Sequence, residues 1–248
     1  MKLNLLIALD FAPERFAGWH MLNTLLQKRA GIHMHLLTPA NHQEQTQMID
    51  EGDVDIIYAN PFDAAHLIRE KGYRAVARPK NKANEMVIAT KAEGAFKQLD
   101  ELKKGCKVAM ADNRDVKLIG LRLLEAVDLA ENDIEWNITE NYQAAAREVI
   151  KGNADVGFFL SEVYHSLSRL TLSQLHILIE SDLSDITHVV LVNEKMTGNQ
   201  EALQALMGLT ADTEGQEVLA ELGITAGFEP MTEEDGEFMI DLMDTLLD

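Results

Sequence analysis

The sequence predicts an α/β protein of two similar lobes, and three observations carry that prediction. Strand-length apolar runs alternate with stretches of helical periodicity along most of the 248 residues. The segments 41–60 and 141–160 repeat one pattern: Asn41 matches Asn141, Gln43 matches Gln143, Gly52 matches Gly152, Asp55 matches Asp155, Ile56 matches Val156 and Tyr58 matches Phe158. Each copy reads as an Asn-capped helix stopped by a left-handed glycine, then a tight turn and a short buried strand. The composition, 46% hydrophobic and 25% charged, suits one large domain or two small ones. Two such lobes facing each other would make a cleft, and open α/β sheets bind small ligands at the carboxyl ends of their strands.

The elements follow in order. Residues 3–9 read as the first strand. Residues 16–30 read as a helix with Ala17, Met21, Leu22, Leu25 and Leu26 inward and Gly31 at its end. A strand over 32–37, a helix to Glu51 and a strand over 54–58 complete the first copy of the repeat. Asn60-Pro61 opens a helix, with Asn as cap and Pro at its first position, that Gly72 closes before a strand over 73–78. The polar stretch 78–84 marks a crossing, and 85–90 is a strand entering the second lobe. There, 99–104 reads as a short helix, 106–111 as a strand, and 116–127 as a helix with Leu118, Leu121, Leu124 and Val127 inward. A strand over 134–138, a helix over 141–151 and a strand over 154–159 form the second copy. Strands over 175–179 and 188–192 follow, the latter crossing back. Helices over 202–209, 214–222 and 232–247 finish the chain, with Glu233, Glu234 and Asp235 at the positive end of the last helix dipole. The resulting lobes are residues 1–84 with 186–248, and residues 85–185.

Charge narrows the function. With 41 acidic and 22 basic residues the net charge is -19, which opposes non-specific binding to nucleic acid or to an anionic membrane. Local anion binding remains open to it, because helix N-termini and single cations act within a Debye length of roughly 8 Å. No stretch approaches the roughly 18 apolar residues of a membrane span. The N-terminal apolar run is brief and ends at Asp10 without a small-residue cleavage site, so it reads as a strand rather than a signal peptide. As written the chain is expected in the cytoplasm, or in the periplasm if a leader has been trimmed from it. Cys106 is the single cysteine and reads as a small core residue.

No Walker loop, dinucleotide fingerprint or nucleophile elbow is present, and neither a cofactor nor a resident metal is expected. His33 and His35 alternate on one strand face but lack a third ligand. The candidate binding residues therefore lie where strands end and helices begin. They are Asp10 and Phe11 after the first strand; Tyr58, Asn60 and Pro61 at the end of the first repeat; and Asn113, Arg114 and Lys117 after the Cys106 strand. Tyr142 opens the second repeat helix, and Ser161 and Glu162 open the helix after Phe159. Backbone amides at such ends, with Arg114 and Lys117 beside them, suit an anion. The alternative for Asn113 and Asp115 is simple helix capping, and for Trp19 and Tyr58 it is a place in the core.

The order of elements resembles the substrate-binding proteins of phosphate, phosphite and phosphonate ABC transporters, a branch of the type II periplasmic-binding fold. The likeness spans nearly the whole chain. It rests on Gly52-Asp53-Val54-Asp55-Ile56-Ile57-Tyr58-Ala59-Asn60-Pro61, on Val149-Ile150-Lys151-Gly152-Asn153-Ala154-Asp155-Val156-Gly157, and on Gly227-Phe228-Glu229-Pro230-Met231-Thr232-Glu233-Glu234-Asp235. It implies two lobes, each a mixed sheet flanked by helices, joined by two crossing strands and closing on an oxyanion without catalysing a reaction, with Asp155 among the ligand contacts. The implied partners are a small anionic ligand and either a membrane permease or a signalling protein. Two departures stand out: Asn113-Arg114-Asp115-Val116-Lys117 replaces the family's serine-rich turn, and Tyr142 stands where the family has a histidine. The rival expectation is an enzyme on the same fold that acts on a small carboxylic acid, like those of menaquinone synthesis.

Overall fold

The apolar runs form two sheets in a computed structural model of the chain, which describes residues 2–8, 15–82, 85–181, 187–193 and 199–247. The chain divides into two compact units, residues 1–82 with 187–244 and residues 83–186 with 245–248.

Unit 1 is built on strands β1 (Lys2–Ile7), β2 (His33–Leu37), β3 (Ile56–Ala59), β4 (Tyr73–Pro79), β10 (Val189–Asn193) and β11 (Phe228–Pro230), in the order β11-β4-β10-β3-β1-β2. β1 lies parallel to β2 and β3, while β10 runs antiparallel to β3 and β4. Helix α1 (Phe16–Ala30), α8 (Asn199–Met207) and α9 (Thr213–Leu222) cover the face bearing Leu5, Ile7, Tyr58 and Val190. Helix α2 (His42–Asp50), α3 (Pro61–Lys71) and α10 (Glu233–Leu247) accompany the face bearing Leu6, Ile57, Ala59 and Leu191.

Unit 2 is built on β5 (Met86–Lys91), β6 (Cys106–Ala111), β7 (Ile134–Thr139), β8 (Val156–Leu160) and β9 (Leu175–Glu180), in the order β7-β6-β8-β5-β9. Its pairing repeats that of unit 1: β6 is parallel to β7 and β8, and β5 is antiparallel to β8 and β9. Helix α4 (Arg114–Glu125) packs Gly120 against Phe158 on one face. Helix α5 (Tyr142–Lys151) packs Ala145, Ala146 and Val149 with Phe159 on the other. Two short helices, α6 (Ser161–Ser166) and α7 (Arg169–Leu172), complete the unit.

Several elements differ from the sequence reading. The inward face of α1 is Gly18, Trp19, Leu22, Asn23, Leu25 and Leu26, with Ala17 exposed and Met21 39% exposed. The stripe is rotated because Gly18 approaches the Glu221 backbone of α9 closely enough that a Cβ would lie 3.1 Å from its carbonyl carbon. Likewise α4 begins at Arg114 and buries Val116, Ile119, Gly120 and Leu124, leaving Leu118, Leu121 and Val127 half-buried. The helix expected over 99–104 is a single 3-10 turn, Leu99–Glu101. β11 and α7 were not expected; each is too short for periodicity to show.

Candidate functional site

In unit 2 the three parallel strands β7, β6 and β8 end side by side, about 4.8 Å apart. The chain leaves β6 for α4 on one face and reaches β7 and α5 on the other, so the crevice opens where strand connections part, between β6 and β8. Asn113 caps α4 by accepting a hydrogen bond from the Val116 amide at 3.0 Å, and Asn141 caps α5 by accepting from Ala144 at 2.9 Å. The positive ends of both helices thus face the end of the sheet where β6 and β7 finish.

Asn113, Arg114, Tyr142 and Ser161 each follow within three residues of a strand that finishes at this end of the sheet. Asn113 is half-buried and Arg114 is exposed at the first residue of α4. Tyr142 is half-buried, its ring 6.3 Å from that of Phe159. Ser161 is buried, its amide donating to the Glu85 carbonyl at 2.8 Å and its hydroxyl to Glu180 Oε1. Lys117 does not join them: its ammonium sits on the Glu131 carboxylate and 4.7 Å over the Trp136 ring, so the anion-holding part expected of it is already taken by side chains of its own unit.

Asp155 lies at the opposite end of the sheet. It precedes β8, whose five residues span about 16 Å. Its carboxylate accepts the Lys107 amide at 2.8 Å, which ties β8 to the start of β6. Asp55 does the same in unit 1, accepting the Asn4 amide at 2.6 Å. The pair expected from the repeat is therefore a pair of strand clamps, distant from the helix N-termini.

In unit 1, Asn60 caps α3 by accepting from the Asp63 amide at 2.8 Å, with Pro61 buried at the first helical position. Asp63 Oδ2 in turn accepts from Asn60 Nδ2 and Gln45 Nε2, both at 3.1 Å. Tyr58 is a core aromatic, 4.6 Å from the Trp19 ring and stacked at 5.1 Å on His188. Asp10 and Phe11 lie outside the described residues.

Two groups at these strand ends escaped the sequence reading. His188 meets Tyr58 only because β10 returns antiparallel beside β3, with Val189 opposite Ala59. Glu180 reaches Ser161 because β5 lies antiparallel between β8 and β9. The Ser161 hydroxyl, with His165 beside it, holds the Glu180 carboxyl below the usual carboxylate range in spite of some burial. Only the strand pairing reveals either contact; no local pattern signals it.

The signature of the family described as "ABC transporter, phosphonate, periplasmic substrate-binding protein" matches residues 6–235. No protein with a curated description matches the chain. Among solved structures, XAC2383 from Xanthomonas citri bound to chloride ion is similar, with a TM-score of 0.81 at 15% identity over 100% of this chain and 99% of that one. PhnD1 from Prochlorococcus marinus in complex with methylphosphonate gives 0.81 at 12% identity, over 99% and 98%. The aliphatic sulphonate binding protein SsuA from Escherichia coli gives 0.66 at 15% identity, over 98% and 87%. At such identities these likenesses establish the fold, a pair of mixed sheets flanked by helices of the type II periplasmic-binding kind.

Proposed function

The chain belongs to the family of periplasmic substrate-binding proteins of phosphonate ABC transporters, and from that membership we propose that it holds a small tetrahedral oxyanion at the β6–β8 crevice of unit 2. Members of this family are binding components of transporters rather than enzymes, and an ABC permease is the partner that membership implies. Asn113 and Arg114 at the head of α4, Tyr142 at the head of α5 and the Ser161 hydroxyl would contact the ligand. The observation that carries this reading is the placement of Arg114, exposed on the first turn of a capped helix at the point where strand connections diverge. A guanidinium there can fork onto two oxygens of a phosphonate or sulfonate, the two oxyanion classes named by the similar structures.

A thermal-shift and calorimetric screen tests it with phosphate, phosphite, methylphosphonate, ethanesulfonate, sulfate and aliphatic carboxylates. A true ligand at a hundred times its Kd adds about 2.7 kcal/mol of stability. Arg114→Ala is expected to weaken the best oxyanion by about tenfold or more, the scale of a lost charge-assisted hydrogen bond. An unchanged Kd would remove Arg114 from the site, and a response confined to carboxylates would overturn the oxyanion class.

A further inference from the structure

The edge of a sheet presents unpaired amides and carbonyls, and folded chains block such edges against pairing with other chains. The two sheets end in four edge strands, β11 and β2 in unit 1 and β7 and β9 in unit 2. Three of them are blocked in identifiable ways. β11 is three residues long and ends in Pro230. In β2 the side chains of α1 take the free backbone groups: the Met34 amide donates to Gln27 Oε1 at 3.1 Å, and the Met34 carbonyl accepts from Asn23 Nδ2 at 3.4 Å. β9 is interrupted by a register shift opposite Ile88 and Ala89, which leaves Leu178 out of the pairing with β5 and twists that edge. β7 has none of these devices. All six of its residues pair with β6 without a shift, and among the described residues no hydrogen bond is made to its outer backbone groups. Ile138 on this strand is 52% exposed, and it shares a face with Trp136, two residues away. The one charged side chain of β7, Glu135, lies 3.6 Å from the Lys107 ammonium.

We propose that β7 pairs antiparallel with β7 of a second copy of this chain, joining two five-stranded sheets edge to edge. The sequence of the strand is complementary to itself about Asn137. A two-fold axis normal to the sheet at that residue sets Ile138 opposite Trp136 of the second copy and Glu135 opposite its Thr139, each twice, while Asn137 faces its own counterpart. No like charges meet in this register, and the exposed Ile138 is covered by an aromatic ring, a favourable cross-strand pair. The contact is isologous, with the same patch used by both copies. Because the remaining edges are blocked, pairing consumes the one open edge and stops at a dimer instead of growing into a filament. The net charge of -19 on each copy opposes the association, so the dimer is weak at low salt and tightens as salt screens that repulsion.

Analytical ultracentrifugation of the full chain in high salt, from micromolar to millimolar concentration, tests the pairing and its register together. The wild-type chain is expected to pass from monomer to dimer and no further. Asn137→Asp and Asn137→Lys each place like charges face to face across the axis, and either variant alone is expected to dimerise about tenfold more weakly or worse. An equimolar mixture of the two is expected to recover the dimer, because opposite charges then meet. Thermal melts check that each variant is folded. Should a charge variant fail to fold, Ile138→Ser carries the test, since it alters an exposed side chain and removes the contact with Trp136 of the second copy; it is expected to weaken the dimer severalfold. A wild-type chain that stays monomeric throughout overturns the proposal, and so does one that assembles beyond two copies. A dimer that none of the three substitutions weakens uses another surface and overturns it as well. A mixture of the folded charge variants that remains monomeric while the wild type dimerises overturns the register about Asn137.

Discussion

The two copies of the repeat, residues 41–60 in unit 1 and 141–160 in unit 2, share a backbone solution and differ in how they fill space. Asn41 and Asn141 each accept a capping hydrogen bond at 2.9 Å. Gly52 and Gly152 follow their helices with φ of 76° and 79°, a conformation that costs a side-chain-bearing residue strain. Asp55 and Asp155 each clamp the amide of a neighbouring strand. The packing layer beneath α2 and α5 is reversed, however. β3 presents Ile57 then Ala59, large then small, whereas β8 presents Gly157 then Phe159, small then large. Backbone hydrogen bonding is met in the same way in both units, while volume is free to move between neighbouring positions so long as its total fits.

Exchanging that layer gives the largest expected effect. A Cβ on Gly157 would lie 2.5 Å from the Phe159 ring and 3.1 Å from Val149, so Gly157→Ile, which installs the residue of unit 1, overpacks the core at a cost of about 3 kcal/mol. Phe159→Ala alone empties space beside Tyr164 and should cost about 3–5 kcal/mol. If the two positions trade volume, the double variant is more stable than the sum of the single losses by about 1 kcal/mol or more. Urea midpoints measure this directly. Strict additivity would mean that the layers of the two units are unrelated solutions.

How far the sequence revealed the molecule follows the same division. Caps, glycine stops and the clamp aspartates are local, so α3, α5 and the helix-glycine-strand echo could be read from spacing alone. Periodicity also placed α1 to the residue and Leu22, Leu25 and Leu26 inward, yet it set Ala17 and Met21 on the buried face in place of Gly18 and Trp19. Nothing local says that Gly18 must meet the Glu221 backbone, or that Gly120 must meet Phe158. The candidate site divides likewise. Asn113 and Tyr142 were candidates because they open helices, whereas the contacts of Glu180 and His188 became visible only through antiparallel pairings across distant segments. Asp155 was attributed to the site through a resemblance, although its repeat partner Asp55, next to a strand start, already suggested a structural part.

Loss of the caps should give a smaller and nearly equal effect in the two units. Asn41→Ala and Asn141→Ala each leave one amide of a helix's first turn without its acceptor, at about 1 kcal/mol. The third junction sharpens the contrast: unit 1 has Asn60 there, and unit 2 has Leu160, with no side-chain cap on α6. Asn60→Leu therefore makes unit 1 resemble unit 2. Because Asn60 also donates to Asp63, its loss should exceed that of Asn41→Ala in a thermal melt. Equal losses would show that the Asp63 contact adds nothing.

The smallest effect concerns the clamps and depends on pH. Asp55 is buried, and that burial, opposed by the Asn4 amide and reinforced by Asp53, pushes its carboxyl above the ordinary aspartate value. The folded state therefore binds its proton more readily than the unfolded chain does. The stabilisation linked to this group is fully present below the unfolded-state pKa and is lost as pH rises through the folded-state pKa. At neutral pH the ionised Asp55 carries a desolvation cost that the Asn4 amide offsets only in part, and Asp55→Asn keeps an oxygen for that amide while removing the charge. The variant should thus be at least as stable as wild type at pH 7 and should lack the gain in stability that wild type shows on acidification through that window. Asp155→Asn, at the half-buried counterpart in unit 2, is the control for loss of a carboxylate at the same strand start. Denaturant midpoints measured across that pH range for wild type and both variants decide it. Parallel pH profiles for wild type and Asp55→Asn would mean that the Asn4 amide offsets the burial cost of Asp55 completely.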